Sequence, residues 1–180
     1  MRWRAENAPA AVALDPPTAV ASFVALVLGA NGPFYPLYVI ALVGWVAGHL
    51  ALLTLFATPF FLAIPALARR AGLAARLALW LIGTLNTVWC MKLLGPASGV
   101  GVFLLPCVSL AALLPAGMMR LAAAGLPLLA LLLPWDWFGT PILALTTAEN
   151  ARLAFLNEFS AACLTGLLAL RLGRLLPAAR

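Results

Sequence analysis

The chain has 180 residues, of which 65% are apolar and 9% charged, against about 25% charged in soluble domains. Its mean hydropathy is +1.08, and no residue from Pro16 through Ala68 is formally charged. Since about 20 apolar residues cross a bilayer, the sequence reads as an all-α integral membrane protein. The net charge of +6 does not point to nucleic acid, because the arginines sit at the ends of apolar runs and form no basic stripe with interleaved aromatics.

The N-terminal stretch MRWRAENAPAAVALDPPTAV carries Glu6 and Asp15 where a cleavable signal needs a cationic region, so it reads as a short cytoplasmic tail before an uncleaved span. The first apolar block is too long for one helix. Dividing it at GWVAGH gives spans over 18–43 and 50–68, with Asn31-Gly32-Pro33 a kink inside the first. A third span over 74–94 stops at GPASG, a loop signal. Further spans are expected over 100–118, 121–138 and 152–171, several of them interrupted by proline. The fold predicted is a single-domain bundle of six transmembrane helices.

Six spans place both termini on one side. That side holds Arg2, Arg4, Arg69, Arg70, Arg76, Arg120, Arg171, Arg174 and Arg180, and the other only Lys92 and Arg152. The bias puts both termini in the cytoplasm. Trp45, Trp89, Trp135 and Trp137 fall at the predicted outer interface, where indoles settle. No internal repeat of the kind many transporters carry is visible.

Glu158 is the residue that asks for an explanation, since a charge facing lipid costs roughly 2.5–3.5 kcal/mol on insertion scales. Asn157 precedes it, and the antiparallel third span carries Asn86 and Lys92 at comparable depth. One reading is a ligand-binding polar pocket in the outer half of the bundle, lined by Asn86, Asn157, Glu158 and Lys92. The other is that Glu158 cements the third and sixth spans or reaches interfacial water. His49, the single histidine, lies at the outer end of the second span as a solvated, structural or pH-responsive group, with an ordinary pKa of about 6.5. The three cysteines (Cys90, Cys107 and Cys163) fall in apolar runs as small hydrophobes. No clustered ligands indicate a metal, and no cofactor is expected. PASG is similar to the GxSG of rhomboid-type intramembrane proteases, but Pro96 replaces the first glycine and no histidine follows to serve as base.

LVGWVAGHLALLTLF, Asn86 in the third span, and LLGPASGVGVFLLPCVSLAALL together resemble the six-helix membrane sensory domain that precedes adenylate or diguanylate cyclase domains and some histidine kinases in bacteria. The likeness rests on Gly48-His49 near the start of the second helix and on Leu94, Gly95, Ser98 and Gly99 leading into the fourth. An asparagine in FLNEFSAACLTGLLAL adds to it. Where such domains often have an acid or a histidine in the third helix, this chain has Asn86. The resemblance implies a bacterial inner-membrane, non-enzymatic, receptor-like module. Because no coiled coil or catalytic domain follows RLGRLLPAAR, its output is expected to pass through a signalling partner or a homo-oligomer. The alternative is a small transporter or permease component using Glu158 as a proton- or cation-linked site. A membrane enzyme is the weakest reading, for want of a nucleophile–base pair, metal cluster or phosphate loop.

Overall fold

The computed structural model describes residues 13–135 and 139–175. The described residues form an all-α bundle of seven helices: α1 (Pro16–Asn31), α2 (Phe34–Val43), α3 (Trp45–Ala68), α4 (Gly72–Leu94), α5 (Val100–Leu113), α6 (Met118–Leu132) and α7 (Thr147–Gly173). Three of them, α3, α4 and α7, are long and apolar enough to cross a membrane; counting α1 and α2 as one bent span makes four. Leu37, Leu53, Leu85, Leu129 and Phe155 are among the large apolar side chains left on the exterior, as lipid contact requires and water does not favour.

Asp15 starts α1. Its carboxylate accepts from the Thr18 amide at 3.0 Å and from the Thr18 hydroxyl at 2.7 Å, satisfying one of the free amides of the first turn. The Thr18 hydroxyl bond, with the Thr18 amide and the charge of Arg76 acting the same way, holds the Asp15 carboxyl below its usual range. The stability it contributes is therefore present above the ordinary carboxylate pKa and is lost as pH falls through the lowered value. Asp15→Ala is expected to cost about 1 kcal/mol near neutral pH and to flatten the acid limb of an unfolding-versus-pH curve. An unchanged acid limb would exclude this cap as its origin.

The kink expected at Asn31-Gly32-Pro33 is present: α1 and α2 meet at 41°. Pro33 has no amide to continue the ladder, and Gly32 packs so tightly on Thr58 of α3 that a side chain there would collide. The second break is sharper than expected. GWVAGH is not a loop; the turn is confined to Gly44, whose φ of +85° is open to glycine and strained for other residues. Helix α3 then starts at Trp45, not at 50. Its segment His49–Ala57 has 3₁₀ geometry, an unusually long run of that kind. Pro59 acts at its C-terminal end, since it cannot donate to the Leu55 carbonyl and its ring crowds that carbonyl.

Helix α4 matches the expected third span. Its end is finished by a strap, in which the amides of Ile142 and Leu143 donate to the carbonyls of Lys92 and Leu93 at 3.1 and 2.9 Å. Helices α5 and α6 depart from expectation. The spans drawn over 100–118 and 121–138 are instead Val100–Leu113 and Met118–Leu132. They are separated by a turn at Leu114–Gly117 with Gly117 at φ +108°. At 15 residues, α6 is about 22 Å long, shorter than the roughly 30 Å hydrocarbon core. Residues 136–138, including Trp137, lie outside the described residues, as do Arg2, Arg4, Glu6 and Arg180. Helix α7 begins at Thr147 rather than 152, because Thr146 and Glu149 form a reciprocal capping box.

With the bent α1–α2 pair counted as one, the helices alternate in direction. At one end Gly72 abuts Asp15 and Thr18, Arg76 donates to the Leu113 carbonyl at 3.0 Å, and Arg120 donates to the Leu114 carbonyl at 2.6 Å. At the other, Pro141 covers Gly95 and Arg152 donates to the Leu42 carbonyl at 3.3 Å. Two large apolar cores stack between these ends, and a small third cluster joins Ala111, Leu114 and Ala123. One, around Val24, Phe61, Leu79 and Leu113, lies toward Asp15. The other, around Val39, Leu93, Leu104 and Leu153, lies toward Gly44.

Candidate functional site

Between the two cores, at the level of the α1–α2 bend, lies a cavity of about 120 Å³. Along α4 the first core ends at Leu79 and the second begins at Cys90, and the intervening Gly83, Asn86 and Thr87 face the cavity. Gly83 contributes space: a Cβ there would come no closer than 3.5 Å to the Cys107 sulfur. The wall is apolar with polar groups set into it, including Asn31, Tyr35, Thr54, Thr58 and Asn86, and none of its side chains is an acid, lysine, arginine or histidine. The volume is close to that of engineered apolar cavities of about 150 Å³ that bind benzene.

Thr54 is distinctive. It is 7% exposed and lines the cavity, yet its hydroxyl has no hydrogen-bond partner among the described residues. Other helical threonines donate back one turn: Thr84 to the Trp80 carbonyl, Thr87 to Gly83 and Thr165 to Ala161, at 2.8–2.9 Å, the usual arrangement in an α-helix. Thr54 lies in the 3₁₀ run, where side chains three apart stack in rows. Ala51, Thr54 and Ala57 accordingly form the buried row, while Leu50, Leu53 and Phe56 form the exposed one. Nothing in the sequence marks Thr54 apart from Pro59 downstream.

The four residues expected to share one pocket separate. Asn86 does line the cavity, half-buried, with the Cys90 sulfur 4.0 Å from its Oδ1. Asn157 is fully buried and is not part of the cavity lining. It accepts from the Tyr35 hydroxyl at 2.9 Å and donates through Nδ2 to the Ser98 carbonyl at 2.8 Å. Ser98, itself fully buried, donates to the Gly95 carbonyl at 2.6 Å. Tyr35 faces the cavity, so one hydrogen-bonded chain runs from the cavity wall to α7 and the α4–α5 turn. Lys92 is at the end of the bundle, donating to the Thr140 carbonyl at 2.7 Å, where it holds the strap. Glu158 is exposed on the outer flank of α7 with Phe155 and Phe159. Adjacent residues on a helix lie about 100° apart, which is why Asn157 faces inward and Glu158 does not.

His49 is exposed, with Nδ1 3.1 Å from the Val46 carbonyl and 3.3 Å from that of Trp45. Carbonyl oxygens only accept, so this contact puts a proton on Nδ1. It borders an end cleft shared with Glu149 and is not part of the cavity.

A second depression lies on the outside of the bundle between α3 and α4. It is an apolar groove of about 540 Å³ walled by Leu53, Phe56, Phe60, Ile82, Leu85 and Trp89. Asn86 and Ala57 border both the groove and the cavity. The Trp89 indole donates to the Leu53 carbonyl at 3.3 Å across this seam.

No protein-family model matches the chain, and neither a curated protein nor a solved structure is significantly similar to it.

Proposed function

We propose that this protein is a non-enzymatic, receptor-like membrane module that binds a small ligand in the mid-bundle cavity and acts through a protein partner. The observation carrying this reading is that Tyr35 belongs at once to the cavity wall and, through its hydroxyl, to Asn157 on α7. An occupant that shifts the Tyr35 ring changes the geometry of that bond, and with it the position of α7. A ligand moves such an equilibrium only by its differential affinity for the two arrangements, and a wall of uncharged polar groups in an apolar cavity supplies the differential contacts. The six apolar segments each cross a bacterial inner membrane, with α5 and α6 as short crossings that the bilayer thins to meet. The arginine-rich Asp15 end then faces the cytoplasm.

Benzyl alcohol is a probe of the right size. It is expected to raise the unfolding midpoint of detergent-solubilised protein saturably, and Gly83→Leu, which fills the cavity, is expected to abolish the rise. An equal rise in both proteins would defeat the cavity reading.

The outward Glu158 fits a partner surface better than a transport site, because the cavity contains no acid. A carboxylate left against lipid costs roughly 2.5–3.5 kcal/mol on insertion scales, and a covering protein with a hydrogen-bond donor offsets this. Cys163 is exposed on α7, whereas Cys90 and Cys107 are buried, so oxidative cross-linking in the native membrane reports a neighbour on the Cys163 side of that helix. A product of twice the chain mass indicates a second copy, and a product of another mass a different protein. Absence of both removes a cysteine-bearing partner from the Cys163 side of α7.

A further inference from the structure

The cavity and the outer groove share a boundary, and the character of each side differs. The groove is apolar except for Asn86 and the pinned Trp89 indole. The cavity behind it offers the unpartnered Thr54 hydroxyl, nine-tenths buried, and carries no ionisable acid or base of the Asp, Glu, Lys, Arg or His type. We propose that the site takes an uncharged single-chain amphiphile directly from the bilayer, entering between α3 and α4 past Asn86. Its hydroxyl or carbonyl head hydrogen-bonds to Thr54, and its apolar tail lies in the groove against Leu53, Phe60 and Leu85. This rests on the cavity-binding reading above and adds to it a ligand class and a route.

Three physical arguments support it. A buried hydroxyl without a partner is destabilising unless something satisfies it, and Thr54 lines the cavity from a 3₁₀ segment without bonding to a carbonyl of its own helix. A charged head is excluded because nothing in the wall pairs with it. The cavity, at about 120 Å³, is too small for a long chain, so the tail must lie outside, and the depression that shares Ala57 and Asn86 with the cavity is the outer groove.

The test uses a photoactivatable 1-decanol, with its diazirine on the carbon next to the hydroxyl-bearing carbon, added to the protein in phosphatidylcholine nanodiscs. Labelling is expected on α3 and α4 around Thr54 and Asn86. Excess 1-decanol is expected to compete, and decane and decanoate to fail. Thr54→Val should weaken decanol binding about tenfold, the effect of losing one buried hydrogen bond. The same substitution should raise the unfolding midpoint of the ligand-free protein, since it removes an unpartnered polar group. Those opposite signs are not produced by a packing role. Thr54→Ser should retain binding. Leu85→Trp, a change on the exterior that closes the groove, should suppress decanol labelling while leaving benzyl alcohol stabilisation intact. Labelling that persists in Leu85→Trp overturns the route, and decanoate competing as well as decanol overturns the ligand class. Loss of benzyl alcohol binding in the unaltered protein instead removes the cavity reading on which both depend.

Discussion

Asn157→Ala is expected to be among the most damaging substitutions in this chain, costing about 2–3 kcal/mol, while Glu158→Gln next to it leaves stability unchanged within about 0.5 kcal/mol. Asn157 is fully buried and uses both ends of its amide, accepting from Tyr35 and donating to the Ser98 carbonyl. Alanine strands the Tyr35 hydroxyl and leaves a void where the fully buried amide stood between Tyr35 and Ser98. Interhelical hydrogen bonds in membranes average only about 0.6 kcal/mol, so the larger figure relies on the void and on the double loss. Glu158, exposed on the opposite flank, has no comparable burial to lose. The comparison is made by unfolding in mixed micelles with increasing dodecyl sulfate, away from any partner protein. Tyr35→Phe separates the terms: it keeps the packing, forfeits one bond, and is expected to cost about 1 kcal/mol. If Glu158→Gln proves as damaging as Asn157→Ala, the inward–outward assignment of α7 is wrong.

Why the sequence put the carboxylate in the pocket follows from the composition of α7. Phase is read from an apolar stripe against a polar face, but Phe155, Leu156 and Phe159 surround the Asn157-Glu158 pair on every side. With no polar face to fix the rotation, either residue could have pointed inward. The same uniformity hid the 3₁₀ run, since HLALLTLFA is apolar at spacings of three and four alike. Features defined by backbone chemistry were legible. The bend at Asn31-Gly32-Pro33 follows from a missing amide, and the break near Gly44 from a residue free to adopt positive φ. The end of α4 at Leu94 precedes Gly95, at φ +86°. The clustering of Arg69, Arg70, Arg76, Arg120, Arg171 and Arg174 at one end of the bundle was also readable, because charges end apolar runs wherever those runs lie. Asn86 lines the cavity, but its companions there, Tyr35 and Thr54, look ordinary in sequence. Their roles come from distances that only the folded chain creates.

The α4–α5 turn supports a second prediction of similar size: Gly99→Ala is expected to cost at least about 2 kcal/mol. Gly99 has φ +71°, the left-handed region, where a side chain costs roughly 1–2 kcal/mol by crowding its own backbone. The added Cβ would also lie 2.9 Å from Cα of Ala154 on α7. That atom belongs to a helix backbone, so no side-chain rotation relieves the contact; α7 or the turn must move. Ser98 is the residue just before Gly99, and its carbonyl accepts from Asn157, three positions along α7 from Ala154. A displacement at Gly99 therefore weakens the bond that links α7 to the turn and, through Tyr35, to the cavity. Gly166→Ala on the same helix is the matched control. No atom lies within 4 Å of the Cβ it would add, and its expected effect is a gain of up to about 1 kcal/mol from helix propensity. Unfolding in mixed micelles ranks the two, and benzyl alcohol binding reads the consequence for the cavity. Gly99→Ala as stable as Gly166→Ala would mean that the turn yields without disturbing α7. A destabilised Gly99→Ala protein that binds benzyl alcohol normally would mean that the hydrogen-bonded chain holds the fold together without reaching the cavity.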